Sequence, residues 1–77
     1  MMSLREIFMF NVKFYRKRAK LTQEELAELC DLSTNYIGDI ERKGRKVTLD
    51  TIEKVSKGLN IEPELLLSKN EILLKNK

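Results

Sequence analysis

A chain of 77 residues holds one domain that buries about 60% of its unfolded surface, so it needs tight helix packing or a partner subunit to be stable. With no histidine and one cysteine, it lacks the parts for a metal site, an internal disulfide or nucleophile-base catalysis, and no cofactor loop or long uncharged apolar run is present. The net charge of +3 is too small to name a partner by itself, so the distribution of charge has to decide.

The expectation is therefore a non-enzyme without metal, cofactor, small-molecule ligand or membrane partner, working in the cytoplasm. One domain spans residues 1–77, with a core over 4–67 and a short C-terminal extension over 68–77.

Helix one is expected over residues 4–19, with Phe8, Val12, Tyr15 and Ala19 as its core stripe. Ile7, Phe10 and Phe14 form a second apolar line, more than one core-facing helix needs; either they cover the C-terminal segment or they belong to an interface between chains. The basic residues from Arg16 to Lys20 read first as a solvated helix end beside the negative pole of the dipole.

A second helix starts at Thr22, whose hydroxyl and the Glu25 carboxylate have the spacing of a capping box. Leu26, Ala27 and Cys30 make its buried stripe, and Asp31 breaks it in a left-handed turn with Leu32 and Ser33. Cys30 reads as a core residue; a redox-sensing thiol would need exposure and a lowered pKa, which Glu28 and Asp31 oppose. Ser33 caps a third helix that buries Ile37 and Ile40 and turns Thr34, Asn35, Gly38 and Asp39 outward. Arg42 to Lys46 form a basic loop after it, for which phosphate contact is the better reading.

Thr48 caps a fourth helix, with Asp50 in its first turn, Leu49, Ile52, Val55 and Leu59 buried, and Gly58 at its frayed end. Pro63 suits the first turn of a fifth, whose Leu65, Leu66 and Leu67 exceed what a single turn can bury at home. Leu65 and Leu66, with Ile72 and Leu73 of the tail, are the candidate dimerisation residues. For Ile72, Leu73 and Leu74, folding back onto helix one is as good a reading as a contact between subunits.

Charge falls in blocks. Residues 1–20 carry six Lys/Arg and one Glu, residues 21–41 six acids and no Lys/Arg, and residues 42–46 four Lys/Arg. Basic blocks thus flank the second and third helices, as counterion release on a duplex backbone favours.

The opening Thr22-Gln23-x-Glu25-Leu26-Ala27, the turn Leu32-Ser33 and the subsequent Tyr36-Ile37-x-x-Ile40-Glu41 resemble the helix-turn-helix of the lambda repressor and Cro family, the Xre-type regulators. That resemblance covers residues 12–67 and implies an all-α, five-helix lambda-repressor-like DNA-binding domain. It also implies that Arg16 pairs with Glu41 as a structural ion pair and that Gln23 holds a phosphate oxygen. The stretch Glu41-Arg42-Lys43-Gly44-Arg45-Lys46, with Tyr36-Ile37 and Lys57-Gly58-Leu59, is more similar to the controller proteins of restriction-modification systems. There a loop arginine matches Arg45 and the C-terminal helices pair the subunits, whereas Thr34 stands where some controllers read guanine with arginine, so the operator should differ.

The resemblance and the charge pattern together imply a homodimeric transcription regulator, a repressor or controller, on a pseudo-palindromic double-stranded operator with half-sites about 34 Å apart. The first turn of the third helix would read bases. Asn35 has the fork that matches adenine, Thr34 offers a hydroxyl and a methyl to thymine, and Asp39 either accepts from cytosine or holds a lysine or orients Asn35. Tyr36 either reads at the margin or packs its ring against the second helix and sends only its hydroxyl to phosphate. Gln23, Ser33, Lys43, Arg45 and Lys46 are the phosphate candidates. The rival reading is a DNA-binding antitoxin or protein-interaction module that grips a partner protein with the apolar face of helix one or the tail.

Overall fold

Four hydroxyl side chains set where the helices begin. In the computed structural model, which describes residues 2–44 and 46–69, Ser3, Thr22, Ser33 and Thr48 each accept a hydrogen bond from the backbone N–H three residues on. They open α1 (Leu4–Arg18), α2 (Gln23–Cys30), α3 (Thr34–Lys43) and α4 (Leu49–Leu59). At Ser3 and Thr22 the box is complete, since Glu6 and Glu25 reach back to the cap's own N–H at 2.8 Å in both cases.

The helices end as consistently as they start. Lys20, Asp31 and Asn60 adopt left-handed backbone just past α1, α2 and α4, and the next residue's N–H turns back to a carbonyl of the last turn: Leu21 to Arg16, Leu32 to Ala27 and Ile61 to Ser56, at 2.9–3.1 Å. Gly44 closes α3 at φ +63°, where a side chain would be strained and would also strike Met9.

The described residues are all-α. The expected fifth helix is instead a five-residue 3₁₀ turn, Pro63–Leu67, entered from Glu62 without a side-chain cap. Proline supplies the first turn, but the segment ends at Ser68, too short for the i to i−4 ladder to propagate.

Phe8 and Val12 of α1, Leu26, Ala27 and Cys30 of α2, Ile37 and Ile40 of α3, Val55 and Leu59 of α4 and Leu66 of the 3₁₀ turn meet in one core. Several expected placements change. Ala19 is exposed at the end of α1, and Leu49, the first residue of α4, is 82% exposed. The interior positions of α4 include Thr51 and Ser56 instead. Thr51 is admitted because its hydroxyl lies between those of Thr48 and Tyr36, at 3.3 and 3.4 Å. Gly58 does not fray the helix; it lies inside α4 against the Sγ and backbone of Cys30, where a larger residue would collide.

Asn11, fully buried in the middle of α1, donates from Nδ2 to the carbonyls of Leu65, Leu66 and Ser68 at 3.1, 3.0 and 2.9 Å. That clasp seats the 3₁₀ turn and drives Leu66 completely inward. Leu66 is therefore a core residue of its own domain rather than a surface for dimerisation, while Leu65 is 39% exposed. Ile72 and Leu73 lie outside the described residues. Of the second apolar line on α1, Ile7 is buried, whereas Phe10 and Phe14 are half-buried and stacked with ring centroids 6.0 Å apart. Among the described residues, no helix is long and apolar enough to cross a membrane, and no group of acids and cysteine is arranged to hold a metal.

Candidate nucleic-acid interface

The tight exit of α2 through Asp31 and the cap at Ser33 send α3 off in a new direction. Ser33 Oγ accepts from Tyr36 N–H at 3.0 Å, which leaves Thr34 and Asn35 exposed on the first turn. The Ile37 and Ile40 side chains anchor the opposite side in the core.

A polar cluster fixes the aim of α3. Arg16 of α1 donates from Nε to Glu41 Oε2 at 2.7 Å and from Nη2 to Glu41 Oε1 at 3.0 Å, and a third donor, Nη1, meets the Leu21 carbonyl at 2.8 Å. Gln23 Nε2, at the start of α2, donates to the same Glu41 Oε1 at 3.1 Å. One carboxylate thus ties three helices together. The arginine and glutamate side chains are only 11% and 4% exposed, and the hydrogen bond to Glu41 raises the Arg16 pKa further, against the opposing effect of burial.

Tyr36 packs its ring, but its hydroxyl turns to α4 and not outward to a phosphate. Its ring lies against the core, half-buried, and its hydroxyl meets Thr51 Oγ1 of α4 at 3.4 Å. Asp39 is held as well: Oδ1 accepts from Arg42 Nη2 at 2.7 Å, with side-chain exposures of 22% for the acid and 65% for the arginine. Arg42 and Lys43, expected in a loop, form the last turn of α3. Lys43 and Lys46 are exposed, and Arg45 lies outside the described residues.

Between the start of α2 and the outer side of α3 lies a polar cleft of about 260 Å³ lined by Gln23, Thr34, Asn35, Gly38, Asp39 and Arg42. Gly38, expected to face outward, is buried beneath this surface. Sequence reasoning gave Gly38 no role beyond its outward side and placed Arg42 in a loop for phosphate contact, not in this cleft. The Asp39-Arg42 spacing of three, which brings opposite charges together on a helix, was the available signal.

Cys30 is buried, and burial pushes its thiol up to about 11. Desolvation, not the neighbouring carboxylates, is the cause. A second opening, on α1, is apolar: about 770 Å³ walled by Met2, Met9, Phe10 and Phe14, with Lys13 and Lys17 at its rim.

The family model described as helix-turn-helix matches residues 12–66. The chain belongs to this helix-turn-helix family, the Xre-type regulators. Among similar proteins, control protein C.SmaI of Serratia marcescens is 44% identical over 88% of this helix-turn-helix chain and 81% of its own length. Control protein C.BamHI of Bacillus amyloliquefaciens is 52% identical over 65% of the chain, and the chain spans 62% of it, just under two thirds. The restriction-modification controller protein C.Esp1396I, solved bound to a 25 base pair operator site, superposes with a TM-score of 0.80 at 32% identity, covering 97% of this chain and 95% of its own.

Proposed function

We propose that this helix-turn-helix protein is a sequence-specific double-stranded DNA-binding transcription regulator of the restriction-modification controller type, acting in the cytoplasm as a homodimer on a pseudo-palindromic operator. The observation that carries this reading is the pose of α3: its first turn offers Thr34 and Asn35 outward, while the Arg16-Glu41-Gln23 cluster and the Ile37-Ile40 seam hold the rest of the helix rigid. A major groove admits one such helix and its N-terminal residues reach the base edges. The operator-bound relative has the same fold, and control proteins are among the similar sequences.

In this reading Asn35 and Thr34 read an A·T pair. Tyr36 and Asp39 move from base reading to support, since one hydroxyl meets Thr51 and one carboxylate holds Arg42. Gln23 keeps a part in phosphate binding with its amide near the N-terminus of α2, and the Ser33 hydroxyl, already accepting from Tyr36, has its own proton to donate. Lys43, Arg45 and Lys46 would flank the groove. Arg16 and Glu41 are structural. Leu65 remains the dimerisation candidate within the described residues. Nothing in this role requires catalysis, a metal or a cofactor.

Selection of bound duplexes from a random pool tests the proposal: an enriched pseudo-palindrome supports it, and no enrichment at moderate salt refutes it. The antitoxin or protein-interaction reading draws on the apolar opening on α1. Light scattering separates the two, since a clean dimer fits the autonomous regulator and a monomer that gathers partners fits the rival.

A further inference from the structure

We infer that Arg42 is a base-reading residue for guanine, held in place by Asp39 over the surface at Gly38; this rests on the reading of α3 as the recognition helix. Side chains on a helix lean toward its N-terminus, and Arg42 does so, laying its guanidinium over the turn before its own Cα. A methyl group added at Gly38 would lie 3.4 Å from Arg42 Nη1 and 3.6 Å from Gln23 Oε1, so the arginine fork and the glutamine amide meet above a position that has no side chain.

The fork thereby joins Thr34, Asn35 and Gln23 along one cleft. Asp39 takes one Nη2 proton at 2.7 Å, fixing the plane of the group while most of its five N–H donors face the cleft or solvent. A planar fork with paired donors fits the O6 and N7 acceptors of guanine, the commonest specific contact in a major groove.

A phosphate contact is the competing role for this side chain. A phosphate-binding arginine belongs at the edge of the helix, where the strands' backbones pass, and it does not need a carboxylate beside it. Arg42 lies two turns from Asn35 in the chain but points back along the outer side of α3, so its guanidinium sits near Gly38 and Asp39, three to four residues or about 4.5–6 Å along the axis from Asn35, which corresponds to roughly one or two base-pair steps.

The test uses the full chain, wild type and the variants Arg42→Ala, Arg42→Lys and Asp39→Asn, each put through selection from a random duplex pool and then titrated with the recovered duplexes. The wild type is expected to enrich a guanine one or two steps from the A·T pair. Arg42→Ala should lose roughly 5- to 150-fold of the preference for that guanine while keeping the A·T preference. Arg42→Lys should retain most of the overall affinity but little of the discrimination, because a point charge lacks the fork. Asp39→Asn should reduce discrimination, and adding it to Arg42→Ala should cost nothing further.

Equal weakening of all duplexes by Arg42→Ala, with a shallower salt dependence, would make Arg42 a phosphate contact and overturn the inference. So would an unchanged sequence preference. A wild type that enriches no sequence would overturn the α3 reading itself. Arg42 is mostly exposed, so unchanged thermal midpoints and circular dichroism will exclude unfolding as a cause.

Discussion

Arg16 meets Glu41 in a two-pronged ion pair, 2.7 and 3.0 Å, that fastens the middle helix of the site to the N-terminal one. Because both groups are almost wholly buried, removing one strands the other in a poorly solvated place. Arg16→Ala or Glu41→Ala should cost roughly 3 to 5 kcal/mol in urea unfolding. A double replacement by Met and Leu should be milder than the sum of the two. A single variant that keeps its stability and loses only DNA affinity would contradict the structural assignment.

Asn11 supplies one nitrogen to three carbonyls, and no apolar residue of similar size can replace it. Asn11→Leu leaves the carbonyls of Leu65, Leu66 and Ser68 without that donor and should destabilise by about 1–3 kcal/mol, with hydrogen exchange rising first around the 3₁₀ turn. Asn11→Asp should be worse, since an anion would then face carbonyl oxygens. Equal exchange rates in wild type and Asn11→Leu would show that the clasp is not what seats the turn.

Burial holds the Cys30 thiol neutral up to about pH 11, against an ordinary value of 9.0. A raised folded-state value means that unfolded chains lose this proton first. The contribution to stability is therefore complete below pH 9 and is lost as pH rises from 9 through 11. Cys30→Ala should flatten this segment of the stability curve relative to wild type, lysine and tyrosine titrations being common to both. Iodoacetamide should label Cys30 in the native protein only at the rate of opening.

Gly58 and Cys30 occupy one crowded contact between α4 and α2. Gly58→Ala pushes a methyl group into the sulfur and the backbone at Leu29 and Cys30, and should cost about 1–3 kcal/mol despite the better helix propensity of alanine. Adding Cys30→Ala should recover much of that loss. Independent, additive effects in a thermal denaturation cycle would refute the contact as the cause.

On the DNA side, Thr34→Ala and Asn35→Ala should relax base preference. Lys43→Ala, Arg45→Ala or Lys46→Ala should weaken binding to every duplex alike and lower the salt slope by about 1 each. Fluorescence anisotropy at two salt concentrations, on selected and scrambled duplexes, separates these patterns. A uniform loss across all five variants would erase the division between reading and anchoring.

Much of the fold was legible because its punctuation is local. Thr22, Ser33 and Thr48 announce their helices through bonds made three residues away, and Asp31 ends one by a conformation that few residues tolerate. What depended on distant partners was not legible. Nothing near Asn11 in the chain signals three carbonyls more than fifty residues on, and no period distinguishes Leu66 in the core from Leu65 at the surface. Leu49 fitted the apolar stripe of α4, yet its position in the first turn, before the helix meets the core, leaves it outside. At the site, Thr34 and Asn35 could be placed from the cap alone, whereas the position of Arg42 depended on a side chain that leans back to Asp39.

The tie of one carboxylate to three helices also separates aiming from reading. Arg16, Glu41 and Gln23 fix where α3 points, while the outward residues at 34, 35 and 42 take little part in the core. If these three residues read the operator as proposed, specificity in this scaffold would be interchangeable: a new operator would be matched by swapping surface residues, without a new fold to carry them.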